Sequence, residues 1–325
     1  MIEIGGTKIP PAQQRRIEIP VARLPTQTML SLPVVAINGF ADGPTLWVSA
    51  AIHGDELNGV EIIHRVLQQI SPHKLRGTLI AVPIVNVFGF IEQSRYLPDR
   101  RDLNRSFPGS KRGSLASRLA NLFMEEIVSR STHGIDLHTA SAHRHNLPQI
   151  RANLYDPITY QCAKAFGAPA IVHSQIRDGS LRQAATQKGI PVLLYEAGEA
   201  LRFNSQAIHI GVEGILRVMV ALDMYDFQFQ GVSLDPIEVK TTLWVRASRS
   251  GMLQLQVELG ERVYKRQILG VISDAFGGAS FKVRSPGDGV VLGYQQNPLV
   301  NQGDAIVHLA ILNPEENRVL LPPPS

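Results

Sequence analysis

The chain has 325 residues, 44% of them hydrophobic and 18% charged, with a formal net charge of +4. Such a chain buries a sizeable core, carries more than one domain and is not disordered. The small charge, with no basic run beyond short clusters such as Arg100-Arg101, excludes a nucleic-acid partner. A single cysteine, Cys162, excludes an intramolecular disulfide and fits a reducing compartment. Met1-Ile2-Glu3-Ile4-Gly5 lacks the basic and apolar pattern of a secretion signal, and no apolar run reaches the roughly 18 residues of a membrane span. The expectation is a soluble cytoplasmic protein with no membrane partner.

From about residue 44 to 224 short apolar runs alternate with helical stretches. The runs at 46–52, 78–85, 135–138, 150–155, 170–173 and 192–196 predict strands. The stretches at 56–70, 115–129, 157–166, 181–188 and 205–222 predict helices. In the second of these, Leu115, Leu119, Leu122, Phe123 and Ile127 recur at helical spacing. This alternation predicts an α/β fold, a mixed or largely parallel sheet covered by helices on both faces. Beyond about residue 235 helical periodicity stops. Short β-like segments follow at 243–247, 253–257, 268–272, 281–283, 290–293 and 305–309, punctuated by Gly and Pro. Val257-x-x-Gly260-x-x-Val263 is echoed by Val300-x-x-Gly303-x-Ala305, so two similar halves predict a small β-sandwich. Residues 321–325, with three successive prolines, are expected to be extended and mobile.

The chemistry begins at Ala51-Ile52-His53-Gly54-Asp55-Glu56, directly after an apolar strand. An imidazole at a strand's end and a carboxylate one turn later can converge on one ion. A third strand-terminal group, His138, closes Gly134-Ile135-Asp136-Leu137-His138. Two histidines and a carboxylate make the protein shell of a hydrolytic zinc site, whose fourth position stays open for water. Glu196 ends the apolar strand Pro191–Tyr195 and suits a general base facing an attacking water, with Glu199 as its rival. Open α/β sheets gather such strand ends at one edge. Between them lies a loop, Arg95-Tyr96-Leu97-Pro98-Asp99-Arg100-Arg101-Asp102-Leu103-Asn104-Arg105, whose guanidinium and amide groups suit a carboxylate. Asn104 and Arg105 form the clamp in this reading, with another arginine facing the scissile carbonyl. Asp136 shares a strand face with His138 and can orient it. Asp55 can cap the following helix, and His143 and His145 are minor candidates for touching substrate.

His53-Gly54-Asp55-Glu56, Asp102-Leu103-Asn104-Arg105, Asp136-Leu137-His138-Thr139 and Glu196-Ala197-Gly198 together resemble, in order and approximate spacing, the succinylglutamate desuccinylase/aspartoacylase family. That family is a branch of the zinc carboxypeptidase-like fold, and the resemblance covers about residues 30–225. It implies a three-layer α/β/α domain over residues 1–235, one Zn2+ per chain on His53, Glu56 and His138, and Glu196 as the base. It further implies that Asn104 and Arg105 hold a substrate carboxylate and that Arg95 polarises the carbonyl. Two extra residues separate Arg95 from Asn104 relative to the family pattern, so Arg101 stays a rival, and Arg182 matches a further substrate-binding arginine. The implied activity is hydrolysis of an amide bond of a small N-acyl amino acid or related acyl compound, with a small acidic acyl-amide as the expected substrate. A carboxypeptidase acting on short peptides and a non-catalytic binding protein are the alternatives, and a homo-oligomer is compatible with either.

Residues 240–312 resemble a biotinyl/lipoyl-carrier β-sandwich. The hairpin Ser273-Asp274-Ala275-Phe276-Gly277-Gly278 lacks the lysine that a carrier modifies. Residues 236–325 are therefore expected to form a small all-β domain acting as a cap, a structural unit or an oligomerisation surface.

Overall fold

The computed structural model describes residues 1–175, 177–229 and 236–312. Four strands open the chain: β1 (Ile2–Ile4), β2 (Thr7–Ile9), β3 (Gln13–Arg23) and β4 (Met29–Asn38). The α/β alternation follows as β5 (Ala41–Ala50), α1 (Asn58–Leu67), β6 (Arg76–Val82), α2 (Val87–Ile91), α3 (Leu115–Glu126), β7 (His133–His138) and β8 (Arg144–Ala152). It continues with α4 (Pro157–Phe166), β9 (Ala170–His173), α5 (Leu181–Thr186), β10 (Val192–Gly198) and α6 (Ser205–Ala221). The remaining strands are β11 (Ile237–Val239), β12 (Thr242–Arg246), β13 (Gly251–Leu255), β14 (Arg262–Val263), β15 (Ile268–Ser273), β16 (Ser280–Arg284), β17 (Gly289–Gln295), β18 (Leu299–Val300) and β19 (Ala305–Ile311).

One mixed sheet organises these elements, with its main path in the order β12-β19-β17-β8-β10-β7-β5-β6-β4-β3. At its centre β6, β5, β7 and β10 run parallel, and β8 joins β10 antiparallel. Strands sandwiched between helices must be apolar on both sides, and Leu46 to Ala50 of β5 are all buried. On one face Ile62, Ile63 and Val66 of α1 pack with Phe166 of α4 and Ile208, Ile215 and Met219 of α6. On the other, Leu119 and Phe123 of α3 and Leu181 of α5 pack around Trp47 and Ile80. Each such fully buried side chain contributes about 1.5–3 kcal/mol.

Helix α4 matches its predicted bounds because its ends carry every local signal. Asp156 accepts a hydrogen bond from Thr159 N–H, Pro157 occupies the first turn, and Gly167 ends the helix at φ 73°. Helix α1 starts later than expected, at Asn58, with Leu57 as N-cap and no side-chain capping bond. Residues 53–56 instead form a turn, closed by Glu56 N–H to His53 C=O at 3.1 Å, which directs Glu56 into the site. Asp55 does not cap the helix. The N-terminal strands β1 to β4 lie outside any predicted element. Residues 321–325 lie outside the described residues.

The last strands do not stand apart from the sheet. β17 pairs antiparallel with β8, placing Gly293 opposite Asn146, Tyr294 opposite His145 and Gln295 opposite Arg144. A second sheet, β16-β15-β13-β18, packs on the strands around β17 through Leu253, Leu269, Ile272 and Val300 against Val291 and Val307.

His308 of β19 is 3% exposed, and its Nδ1 has no hydrogen-bond partner among the described residues. Burial first, then Arg151 and Arg144, push its pKa down to about 3. The imidazole therefore stays neutral in the fold, whereas in the unfolded chain it protonates near 6.5. Its stabilising contribution is complete above pH 6.5 and is lost as the pH falls towards 3. Urea unfolding at pH 7 and pH 5 should show the wild type losing on the order of 1 kcal/mol per pH unit below 6.5 relative to His308→Phe.

Candidate active site

The edge where β5, β7 and β10 end builds the site. Register sets Ala50 beside Leu137 and His138 beside Glu196. The chain leaves β5 through Ala51, at φ 51°, a left-handed conformation that is strained for a residue with a Cβ. That turn brings His53 and Glu56 back over the end of β7. One donor atom from each of His53, Glu56 and His138 lies within 4.8 Å of the others, and the three residues are 4%, 2% and 5% exposed.

The Glu56 carboxylate is the hub. Oε1 lies 2.7 Å from His53 Nδ1, and Oε2 lies 2.8 Å from His138 Nδ1. Thr139 N–H donates to Oε2 at 3.1 Å, and Arg95 Nη1 approaches Oε1 at 3.4 Å. The far nitrogen of each ring meets a second acid: His53 Nε2 lies 3.2 Å from Asp102, and His138 Nε2 lies 2.8 Å from Asp136. Asp136 in turn accepts from Ser49 Oγ at 2.8 Å. Burial opposes every charge here, and mutual attraction overcomes it. The Glu56 carboxyl is held far below its usual range by His53 and His138, and both imidazoles are raised by the acids around them. Both Nδ1 atoms converge on Glu56 while both Nε2 atoms face outer carboxylates, so each ring is held at both nitrogens and the three residues could hold a metal ion.

A cavity of about 200 Å³ opens beside this cluster, and His53, Glu56, Arg95, Asn104, Arg105, His138, Arg182 and Glu196 all line it. Glu196 accepts a 2.7 Å hydrogen bond from Asn146 Nδ2, and Arg151 lies 3.6 Å away. Arg95 donates to Asp102 at 3.0 Å. Asn104 Oδ1 accepts from Leu181 N–H at 2.9 Å, which ties the loop to α5 and leaves the amide NH2 group for the cavity. Arg182, 7% exposed, donates to Ser174 Oγ and to Gln175 C=O, and its Nη1 has no partner among the described residues. Burial, with Arg151 nearby, brings its pKa down to about 10.

Among the sequence candidates, Arg101 is not brought to the cavity. Its side chain is 63% exposed and sits 3.8 Å from Asp99. Glu199, His143 and His145 do not line the cavity either. The lining also includes Arg144, Asn146, Arg151, Arg177 and Trp244, none of which the sequence reading singled out. They lie on two strands, β8 and β12, and one loop, whose placement depends on long-range pairing. Asp102 carried a usable signal, because it sits in the quoted loop motif.

These observations define an open α/β-sheet protein with a buried two-histidine, one-carboxylate cluster at its strand ends. The catalytic-domain model of the succinylglutamate desuccinylase/aspartoacylase family matches residues 42–222, and the chain belongs to that family. It is 27% identical over 292 residues to the N-alpha-acetyl-L-2,4-diaminobutyric acid deacetylase of Halomonas elongata, covering 86% of this chain and 85% of that one. The fold is similar to that of the ectoine utilization protein EutE (DoeB) from Ruegeria pomeroyi, with TM-score 0.84, 22% identity, and 94% and 98% of the two chains covered. It is also similar to that of a succinylglutamate desuccinylase/aspartoacylase from Rhodobacter sphaeroides, with TM-score 0.83, 24% identity, and coverage of 95% and 98%.

Gly54 sits in the turn that positions both His53 and Glu56. A Cβ there would lie 1.9 Å from the Gly89 carbonyl carbon, a backbone contact that cannot yield without moving the turn. Gly54→Ala should lower stability by about 1–3 kcal/mol or more and reduce metal uptake. Denaturant titration and metal analysis of the purified variant check both.

Proposed function

We propose that the protein is a zinc-dependent hydrolase that cleaves the amide bond of a small, acidic N-acyl amino acid. The observation that carries this reading is the His53–Glu56–His138 cluster beside Glu196 in one cavity, in a chain of a deacylase family. Two imidazoles and one carboxylate form a donor set suited to Zn2+, one ion per chain, and the backing acids Asp102 and Asp136 are the partners such ligands use. When bound, the ion supplies Lewis-acid polarisation of the carbonyl and acidifies the attacking water.

Glu196 takes one proton from that water as its oxygen bonds to the acyl carbon. The C–N bond then breaks, and Glu196 returns the proton to the leaving nitrogen; the second water proton stays on the new carboxylic acid and passes to the amine, so that a carboxylate and an ammonium depart. Asn146 holds the Glu196 carboxylate in place for both transfers. Arg95 is the arginine facing the carbonyl oxygen as negative charge develops on it. Its contact with Glu56 and its place in the cavity favour it over the exposed Arg101. Asn104, Arg105 and Arg182 bind the substrate carboxylate through forked donors.

Among the described residues, six arginines line the cavity (Arg95, Arg105, Arg144, Arg151, Arg177 and Arg182), and the only acids are Glu56 and Glu196. That balance favours an anionic acyl amino acid over one with a free side-chain ammonium, such as the substrate named for the Halomonas relative. It gives no separate support to a carboxypeptidase of short peptides. Residues 236–312 form, in this reading, a β-sandwich module that helps wall the cavity. The single cysteine supports a cytoplasmic location.

His53→Ala and His138→Ala should each lose zinc. Glu196→Gln should retain stoichiometric zinc while kcat drops at least about 100-fold, the contribution of a positioned base. Metal analysis beside a hydrolysis screen of N-acyl amino acids measures both, and a Glu196→Gln protein with near-normal turnover would sink the mechanism.

A further inference from the structure

The cavity wall includes one residue from the C-terminal strands, Trp244 of β12. Two contacts hold its half-buried ring. The indole stacks on His308, opposite it in the β12–β19 pair, with centroids 4.6 Å apart and planes 9° apart. The guanidinium carbon of Arg144 lies 4.7 Å from the indole centroid. His308 stays neutral because it is buried beside Arg151 and Arg144, so the platform under the indole adds no repelling charge.

Arg144 is unusual in how its charge is accommodated. No acidic side chain among the described residues forms an ion pair with it, although it lines the cavity. Arg144 is half-buried, and a guanidinium in such a position is often matched by a carboxylate. Here the face of an indole takes that place, at a distance where cation–π attraction is effective. The difference matters for binding. A carboxylate partner would occupy the forked N–H donors, whereas a ring occupies only the flat face and leaves them free. The backbone is held from the same side, because β17 pairs Gln295 with Arg144, and Gln296 N–H donates to His143 C=O at 2.7 Å.

We infer that Trp244 is a specificity-determining residue, which holds the Arg144 guanidinium over its indole face at the cavity wall so that its donors take a second carboxylate of the substrate. This rests on the acyl-amide reading above and adds a subsite that the C-terminal strands create. The substrate is then an N-acyl amino acid with a carboxylate on the acyl group or side chain besides the one held by Asn104 and Arg105. Arg144 supplies the direct contact, and Trp244 acts by positioning it.

The test compares the zinc-loaded wild type with Trp244→Ala, Trp244→Phe and Arg144→Gln on N-acetyl-L-glutamate and its neutral isostere N-acetyl-L-glutamine. Trp244→Ala and Arg144→Gln should each lower the acid-to-amide ratio of kcat/KM about tenfold, the scale of one charge-assisted bond. The loss should fall on KM for the acid and not on kcat. Trp244→Phe keeps an aromatic face and should recover most of the ratio, and the double variant should be no worse than either single one. An unchanged ratio, or an equal fall in kcat on both compounds, overturns the inference.

Binding gives a second readout. The chain has two tryptophans, and Trp47 is wholly buried, so a fluorescence change on adding glutarate reports on Trp244. Glutarate should shift the emission at lower concentration than its monoamide, and Arg144→Gln should abolish that preference. Absence of the preference in the wild type overturns the subsite while leaving any observed turnover intact. Preference without turnover of any acyl amino acid supports the subsite and removes the hydrolase reading.

Discussion

The rest of the site depends on one buried carboxylate placed between two imidazoles. Glu56 is 2% exposed, and burial alone would drive it to the neutral form. An unpaired charge at such depth is expensive, and it persists only when paired and hydrogen-bonded. His53, His138, Arg95 and the Thr139 amide supply that pairing. Each imidazole then needs its own backing acid, which Asp102 and Asp136 provide. The network alternates in sign outwards from Glu56, and it holds the donor atoms of His53, Glu56 and His138 close together.

The sheet makes that network affordable. Parallel pairing of β5, β7 and β10 brings three strand ends to one edge, with His138 beside Glu196. Covered on both faces by helices, these strands cannot slip by a residue without turning buried side chains to the wrong face. The separation of His138 and Glu196 is thus set by β-register, while the turn after β5 places His53 and Glu56. A further loop supplies another part of the cavity wall. The 95–105 segment brings Arg95, Asn104 and Arg105, and its bond to Leu181 links it to the helix carrying Arg182.

The C-terminal strands alter the meaning of the cavity. They extend the sheet through β17 and β8, so the strand bearing Arg144, Asn146 and Arg151 is held from both edges. Asn146 steadies Glu196, and Trp244 reaches the same cavity from β12. A segment with the pattern of a carrier β-sandwich but no carrier lysine has here become part of the wall of a site built by another part of the chain.

The sequence by itself picked out four strand-end residues that the fold brings to one cavity. His53, Glu56, His138 and Glu196 sit at or just beyond apolar strands, and strand ends converge in an open α/β sheet for reasons of topology alone. It also marked the helices whose caps are local, as with Asp156, Pro157 and Gly167 around α4. Tertiary structure decided what depends on distant pairing. Arg95 and Arg101 are alike in composition and loop context, yet only Arg95 meets Glu56 and Asp102, whereas Arg101 lies out in solvent. Arg144, Arg151 and Trp244 carry no local signal, because their place in the cavity follows from which strand pairs with which. A residue's chemistry is written in its type and spacing, but its partners are fixed by contacts across a hundred residues or more of chain.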